Sequence, residues 1–173
     1  MTTQELMTEN PMRKIKIERV VLSCAAVGVD LDKSVKLLEI LSKGKPQRVA
    51  STKRIPDFGV RPGLEVGTSI TLRGETATQL LKKLLGAIEN TLKKRQISEN
   101  HFSFGIHEYI EIPGVEYQRE IGIRGLNVTV VFARPGLRVK RKKIKAGKVS
   151  HKQSIPKEEI INHMEENFST KFK

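Results

Sequence analysis

Residues 65–92, "EVGTSITLRGETATQLLKKLLGAIENTL", change from one periodicity to another, and this change decides the fold. Up to residue 74 the side chains alternate, which predicts a strand with Val66, Thr68, Ile70 and Leu72 on one face. From residue 75 onward apolar residues recur every three or four positions, which predicts a helix with one apolar face. A one-sided strand followed by a one-sided helix predicts a sheet that is covered by helices on one face.

The helical part of this stretch also carries a packing signal. Its apolar stripe consists of Ala77, Leu80, Leu81, Leu84, Leu85 and Ile88. Gly86 interrupts a good helix at a cost of about 1 kcal/mol relative to alanine, so we expect a close neighbour there.

Working outward, the remaining segments predict an α+β protein with a mostly antiparallel sheet and helices packed on one face. Further strands are expected at 15–22, 47–51, 101–114 and 126–132. Two further helices are expected, at 30–41 and at 156–168. Asp30 would cap the first of them, and Gly44 and Pro46 would end it. The uncovered face of the sheet would then carry small polar residues and an arginine: Ser69, Thr71, Arg73, Asn127 and Thr129.

The composition is that of one folded domain, 1–173, with a loose polar tail at 1–11, a protruding loop at 53–64 and a basic arm at 134–153. With 32 Lys+Arg against 19 Asp+Glu, the formal charge is +13, which favours a polyanionic partner. No signal peptide or membrane-spanning run is visible, and Cys24 has no disulfide partner. We therefore expect a cytoplasmic protein that does not bind membranes.

The arm, 134–153, holds nine Lys+Arg and no acidic residue. A charge run of this kind is either a solvated face or a surface that neutralises phosphates. Its length, without a helical pattern or compensating carboxylates, favours an extended segment in contact with nucleic acid. The candidate nucleic-acid-binding residues here are Arg134, Arg138, Lys140, Arg141, Lys142 and Lys143.

A second basic patch surrounds the loop at 53–64, with Lys43, Lys45, Arg48, Lys53, Arg54 and Arg61 against Asp57 alone. The lone Phe58 within it is typical of a packing anchor. The alternative is a ring on which bases or riboses stack.

Signals for catalysis are weak. Four scattered histidines and one cysteine offer no metal-ligand spacing, and no phosphate-cradling glycine loop is present, so we expect no cofactor and no metal. The acidic residues Glu108, Glu111, Glu116 and Glu120 are read as a solvated loop or a contact for a basic protein. A nucleic-acid-modifying enzyme that uses these carboxylates is the competing hypothesis.

Several strings together resemble the large-subunit ribosomal protein five family, in its archaeal form. They are "NPMRKIKIERVVL", "GKPQR", "FGVRPG", "ITLRGE", "HFSFGI", "GVEYQREIGIRGLNVTVVFARPG" and "RVKRKK". The resemblance runs from about Asn10 to Phe168. It implies an antiparallel sheet with helices on one side and a non-enzymatic role in the large ribosomal subunit.

The resemblance also implies partners: 5S rRNA in the central protuberance, large-subunit rRNA, peptidyl-site tRNA, and neighbouring ribosomal proteins, including a small-subunit protein across the interface. It implies no homo-oligomer. An extraribosomal regulatory RNA-binding module is the alternative that remains open.

Residue by residue, the resemblance assigns the loop from Lys53 to Leu64 to tRNA, with Lys53, Arg54 and Arg61 as its cations. It assigns Phe58 and Thr71 to 5S rRNA, and we expect Phe58 to lie near the sheet. Ser23 and Gly44 stand where the family has asparagine and glutamine, so they offer fewer hydrogen bonds. Lys45 and Arg73 complete the candidate rRNA-binding set.

Overall fold

The computed structural model of the protein describes residues 10–173, so most of the tail predicted at 1–11 lies outside the described residues. The main sheet has six strands in the order β2-β3-β1-β7-β6-β5, and each neighbouring pair is antiparallel. A separate parallel pair joins β4 to β8. The strands are β1 (Lys16–Ala25), β2 (Gln47–Ala50), β3 (Glu65–Leu72), β4 (Thr91–Leu92), β5 (Ile97–Ser98), β6 (His101–Ile106), β7 (Leu126–Ala133) and β8 (Lys171–Phe172).

Three longer helices cover one face of the sheet, which confirms the α+β prediction. They are α1 (Val29–Ser42), α2 (Gly74–Ala87) and α4 (Lys157–Phe168), and a single turn, α3 (Arg138–Arg141), lies in the basic arm. The buried residues of α1, α2 and α4 share one core with the inward residues of β1, β3, β6 and β7. The hydrophobic core of the sheet therefore lies on this side, and within the described residues the opposite face is covered only at one end, where the basic arm crosses Val131 and Ala133.

The strand alternation follows the predicted faces. On β7, the inward residues Leu126, Val128, Val130 and Phe132 are all buried. The outward residues Asn127 and Thr129 are exposed and half-buried, respectively. Thr68 and Ile70 of β3 are buried on the same inward side. Because side chains on a strand alternate, the polar residues between them must face the other way.

Three predicted element boundaries are wrong. Gly28, at φ 66°, precedes α1 and accepts from Leu31 N at 3.0 Å, so Asp30 lies in the first turn and is not the cap. The same helix ends at Ser42, and its C-cap is Lys43, whose backbone is left-handed, one residue before Gly44. The predicted strand at 101–114 ends at Ile106, and a short 3-10 turn follows at Tyr109–Glu111.

The second helix is shorter than its periodicity predicts. It ends at Ala87 instead of continuing to residue 92, because Glu89 and Asn90 both take positive φ. The chain then pairs Thr91 with Lys171 and Leu92 with Phe172. Gly86 does have a close neighbour, since a Cβ at this position would lie 3.2 Å from Cγ of Pro113.

Candidate nucleic-acid interface

The uncovered face of the sheet forms a continuous polar band, here called the open face. Ser23 on β1 lies in register with Ser69 on β3 and with Asn127 on β7. One strand further, the Ser103 and Thr129 hydroxyls are 3.0 Å apart. Neighbouring strands are about 4.8 Å apart, so these groups form a dense array of hydrogen-bond donors and acceptors across four strands.

The structure brings three of the predicted rRNA residues to this face: Ser23, described above, Thr71 and Arg73. Thr71 is exposed and pairs in register with Val21, next to Ser23. Arg73 follows the end of β3 and is also exposed. The outward positions Ser69, Asn127 and Thr129 confirm the predicted face. Sequence reasoning missed Ser103, although the alternation of "HFSFGI" was the signal that could have found it.

Gly44 is not part of the open face. A Cβ at Gly44 would lie 3.0 Å from Cδ1 of Ile70, which belongs to the helix-covered side. Its backbone nitrogen donates to Ser42 Oγ at 3.3 Å. Gly44 is therefore a packing position, and its exposed neighbour Lys45 is the one that offers a charge to solvent.

The loop at 53–64 is a miniature hairpin. Ile55 and Val60 exchange two backbone hydrogen bonds, of 2.9 and 3.0 Å. Between them a 3-10 turn, Pro56–Phe58, is closed by Gly59 at φ 63°. At the base of the loop, Ser51 N donates to the Leu64 carbonyl at 2.8 Å. These bonds give the loop a defined shape and carry its apex away from β2 and β3.

Phe58 lies at this apex with 76% of its surface exposed, so the packing-anchor interpretation is wrong. Along the chain, the Ile55–Val60 bridge lies between this turn and the strands β2 and β3, so Phe58 is carried by the turn and not by a strand of the sheet. The buried residue of the loop is Val60, at 6% exposure. An exposed ring with nothing packed on it is free to stack on a partner.

The loop cations Lys53, Arg54 and Arg61 are exposed and form no ion pair within the described residues. Arg48 differs from them. Its guanidinium donates to Asp32 at 2.7 Å and to Glu65 at 2.9 Å, and both carboxylates raise its pKa. Arg48 is therefore paired with carboxylates at the surface of the fold, and the charges presented by the loop are the other three.

The basic arm is less extended than predicted. It contains the helical turn α3 and a 3-10 turn at His151–Gln153. Arg134 is buried at its start, 7% exposed, and is paired with Glu159 of α4. Arg141 is paired with Glu18 of β1. No pattern in the sequence pointed to these acidic partners, because each lies far along the chain from the arginine that it pairs with.

The remaining predicted cations of the arm are exposed and form no ion pair within residues 10–173. They are Arg138, Lys140, Lys142 and Lys143. Like charges this close repel one another, and nearby phosphates would remove that repulsion.

The acidic segment 107–125 is anchored to the core and is not a freely solvated loop. Tyr109, Ile112 and Ile121 are buried, and the Tyr109 hydroxyl accepts from Gln118 N at 2.9 Å. Glu120 accepts from Lys36 Nζ at 2.8 Å, and this hydrogen bond lowers the pKa of Glu120.

No feature of the described chain supports catalysis by a thiol or a metal. Burial raises the pKa of the Cys24 thiol to about 11, so it stays protonated at neutral pH. No group of three or more His, Cys, Asp or Glu within residues 10–173 could hold a metal ion. In the same range, no helix is long and apolar enough to cross a membrane.

The open face, the basic loop and the basic arm define the class of protein: a strongly cationic α+β domain whose free surfaces are suited to a polyanion. A sequence profile of the C-terminus of the ribosomal L5 family matches residues 65–160. Among similar proteins, the large ribosomal subunit protein uL5 of Nanoarchaeum equitans is 44% identical over 161 residues, covering 91% of this chain and 95% of that protein.

Two further relatives carry the same name. The uL5 protein of Sulfurisphaera tokodaii is 37% identical, covering 95% of this chain and 96% of its own. The uL5 protein of Archaeoglobus fulgidus is 38% identical, and the match covers 91% of this chain and 89% of that protein. The chain belongs to the uL5 family of large ribosomal subunit proteins, in its archaeal form. This family is structural and non-enzymatic, and its place is the ribosome in the cytoplasm.

Proposed function

We propose that this chain binds 5S rRNA in the central protuberance of the large subunit, and that the open face is the surface that does so. The observation that carries the proposal is the uncovered band through Ser23, Thr71 and Asn127. Hydroxyls and an amide at strand spacing suit the phosphates, riboses and exposed base edges of a folded RNA. Arg73 and Lys45 add positive charge around this surface.

The arm contacts large-subunit rRNA through Arg138, Lys140, Lys142 and Lys143, which are exposed and free of carboxylates. Arg134 has a different part in the proposal. Its two terminal nitrogens are bound to the Lys152 carbonyl and to Glu159, so it holds the arm in position. Arg141 shares its charge with Glu18 and contributes less to RNA. Such contacts fix position and read no sequence.

The loop at 53–64 contacts peptidyl-site tRNA. Arg54 and Arg61 flank the turn that carries Phe58, so charge and an exposed ring are offered at one apex. Cations would meet tRNA phosphates while the ring stacks on a base or ribose. This arrangement argues against separate partners for Phe58 and the loop cations, since all of them occupy the same turn.

The anchored acidic segment suits a basic ribosomal protein, and we assign to it the small-subunit protein across the interface. Glu108, Glu111 and Glu116 are exposed on a segment whose backbone is fixed by buried Tyr109 and Ile112. A fixed backbone lowers the entropy lost on binding. The chain acts as a single copy in this arrangement.

Replacing Thr71 by valine tests the open face, because this change removes one hydroxyl and keeps the shape. Affinity for 5S rRNA should fall about threefold to tenfold, the effect of one hydrogen bond. Thr78→Val, on the helix-covered side, is the matched control and should bind as the unchanged protein does. Equal binding by both variants would remove the open face from the proposal.

The alternative function is an extraribosomal regulatory RNA-binding module, favoured only by the free basic surfaces. Sedimentation of cell extract at moderate salt separates the two functions. Co-migration of the protein with large subunits supports the ribosomal role, whereas a position at the top of the gradient supports the alternative.

A further inference from the structure

A cavity of about 640 Å³ lies under the basic arm, at the end of the open face. Its floor comes from the ends of β1 and β7, and its roof from α3 and the segment 149–154. This volume is within the ~300–1,000 Å³ range of small-ligand sites. Neither the family membership nor the proposed RNA surfaces assign an occupant to it.

The polar groups of the cavity are incompletely paired. Arg19 lies beside a register shift in β1, and its Nε is buried without a hydrogen-bond partner in the described chain. Arg134 Nε, in the same wall, is also buried and unpartnered. The Glu99 carboxylate makes a single weak contact within residues 10–173, accepting from Ser154 Oγ at 3.4 Å. Arg19 thus has no ion-pair partner within the described residues, and Glu99 has one weak hydrogen bond, whereas Arg134 is held by Glu159 and by the Lys152 carbonyl.

The cations of the cavity outnumber its carboxylates: Arg19, Arg134, Lys140 and Arg141 line it, against Glu18 and Glu99. An anionic ligand therefore fits, but a bare phosphate would bring its negative charge against Glu99 and leave the apolar wall uncovered. Val131, Leu137 and Val149 line it as well and match the apolar faces of an aromatic ring. A nucleobase fits the arginine, the carboxylate and the apolar wall, because its edge carries N–H donors for Glu99 and acceptors for Arg19 and its ring faces are apolar. The phosphates of its strand would then meet Lys140 at the rim.

The position of the cavity fits an RNA strand rather than a free metabolite. It lies where the open face ends at Val131 and Ala133 and where the arm begins at Arg134. A strand that passes from the face to the arm crosses its mouth. Proteins that read RNA commonly hold unstacked, splayed bases in this way.

We propose that this cavity holds a single nucleotide extruded from the bound RNA strand; this rests on the proposed RNA-binding function. Arg19 and Glu99 contact the base edge, and Val131, Leu137 and Val149 enclose the ring. The arm, tied down through Arg134 and Glu159, forms the lid of the site.

The probe is 5′-GMP, whose base offers donors at N1 and N2 and acceptors at O6 and N7. Backbone NMR spectra of the full chain are recorded during titration with 5′-GMP and, separately, with inorganic phosphate. We expect 5′-GMP to shift the resonances of Val131, Leu137 and Val149, and phosphate to leave them in place. Shifts by both probes alike, or by neither, would overturn the proposal.

Arg19→Gln and Arg95→Gln form a matched pair, since both remove one arginine charge and only the first lines the cavity. Arg19→Gln should weaken 5′-GMP binding about tenfold or more, the effect of one hydrogen bond to a charged group. Arg95→Gln should leave it unchanged. Val149→Trp, which fills the space without altering charge, should abolish it. Unchanged binding in Arg19→Gln or Val149→Trp would contradict the site.

Binding of 5S rRNA and of large-subunit rRNA fragments is measured on the same samples. If the unchanged protein binds these RNAs and not 5′-GMP, the extruded-nucleotide site is wrong and the RNA-binding function stands. If the unchanged protein binds neither these RNAs nor 5′-GMP, the proposed RNA-binding function is wrong.

Discussion

Arg134 is paired with Glu159 on α4, and this contact fixes the start of the basic arm to the core. The same guanidinium donates to the Lys152 carbonyl at 3.0 Å. Gln153 Nε2 in turn donates to the Pro135 carbonyl at 2.6 Å. The two ends of the arm are therefore tied to each other, and the exposed cations are carried on a closed loop.

Removing Glu159 should loosen this closure and destabilise the fold. In Glu159→Ala, the buried guanidinium keeps one carbonyl acceptor and loses its carboxylate, so we expect the free energy of unfolding to fall by about 1–3 kcal/mol. Glu158→Ala, on the exposed side of the same turn, is the control and should change it by less than about 0.5 kcal/mol. Urea denaturation followed by circular dichroism measures both. An equal loss of unfolding free energy in the two variants would show that the Arg134–Glu159 pair does not hold the arm.

His163 should make stability depend on pH. The ring packs edge-on against Phe132, with centroids 5.8 Å apart, and burial lowers its pKa below the ordinary value of 6.5. The unfolded chain therefore binds the proton more readily. The contribution is fully present above pH 6.5 and is lost as pH falls through the pKa of the folded state.

The measurement is the free energy of unfolding between pH 7.5 and 5 for the unchanged protein and for His163→Gln. We expect the difference between them to shrink as the pH falls, because the glutamine does not titrate. Asn162→Gln, at an exposed position of the same helix, should keep the pH dependence of the unchanged protein. A constant difference between His163→Gln and the unchanged protein would contradict the role of His163.

Phe58→Ala should change RNA affinity without changing stability. The ring is 76% exposed at the loop apex, so its removal leaves no cavity. If it stacks on tRNA, affinity for tRNA should fall by about 1–3 kcal/mol. Filter binding and thermal unfolding measure the two quantities. Val60→Ala, which truncates the buried residue of the same loop, should instead lower the melting temperature.

The same binding measurements distinguish whether Phe58 contacts tRNA or 5S rRNA. The family resemblance assigns it to 5S rRNA, whereas the apex geometry groups it with the loop cations. We expect Phe58→Ala and the pair Arg54→Ala with Arg61→Ala to weaken tRNA binding together and to spare 5S rRNA. A loss of 5S rRNA binding in Phe58→Ala alone would restore the separate assignment.

The sheet and its faces could be predicted because they follow local patterns. The alternation in β3 and β7 placed Thr71 and Asn127 outward, and the leucine stripe of α2 marked the covered side. The predictions that were wrong concern features that depend on pairing between residues far apart in the sequence. The end of α2 at Ala87 is coupled to the pairing of Thr91 with Lys171, at the other end of the chain.

The candidate interface shows the same difference between what local patterns predict and what distant contacts determine. Arg134 belonged to a run of cations, and only its contact with Glu159 reveals that it is buried. The position of Phe58 depends on the bridge between Ile55 and Val60, which a loop sequence rich in proline and glycine does not specify. Composition predicted a polyanion-binding surface, while individual roles required the tertiary contacts.

The arm cations should set the salt dependence of RNA binding. Each phosphate contact contributes about −0.7 to −0.9 to the slope of log affinity against log salt. Lys142→Gln with Lys143→Gln should therefore make the slope for large-subunit rRNA less steep by about 1.4–1.8. Lys82→Gln with Lys83→Gln, exposed on α2, removes the same charge elsewhere and should change it much less.

The most direct test of the central claim is the affinity of the purified protein for 5S rRNA over a salt series, beside an unrelated structured RNA of equal length. We predict that 5S rRNA is bound more tightly at every salt concentration and that its affinity falls steeply with salt, because shape and phosphates act together. Equal affinity for the two RNAs, or an affinity for 5S rRNA that does not change with salt, would contradict the account.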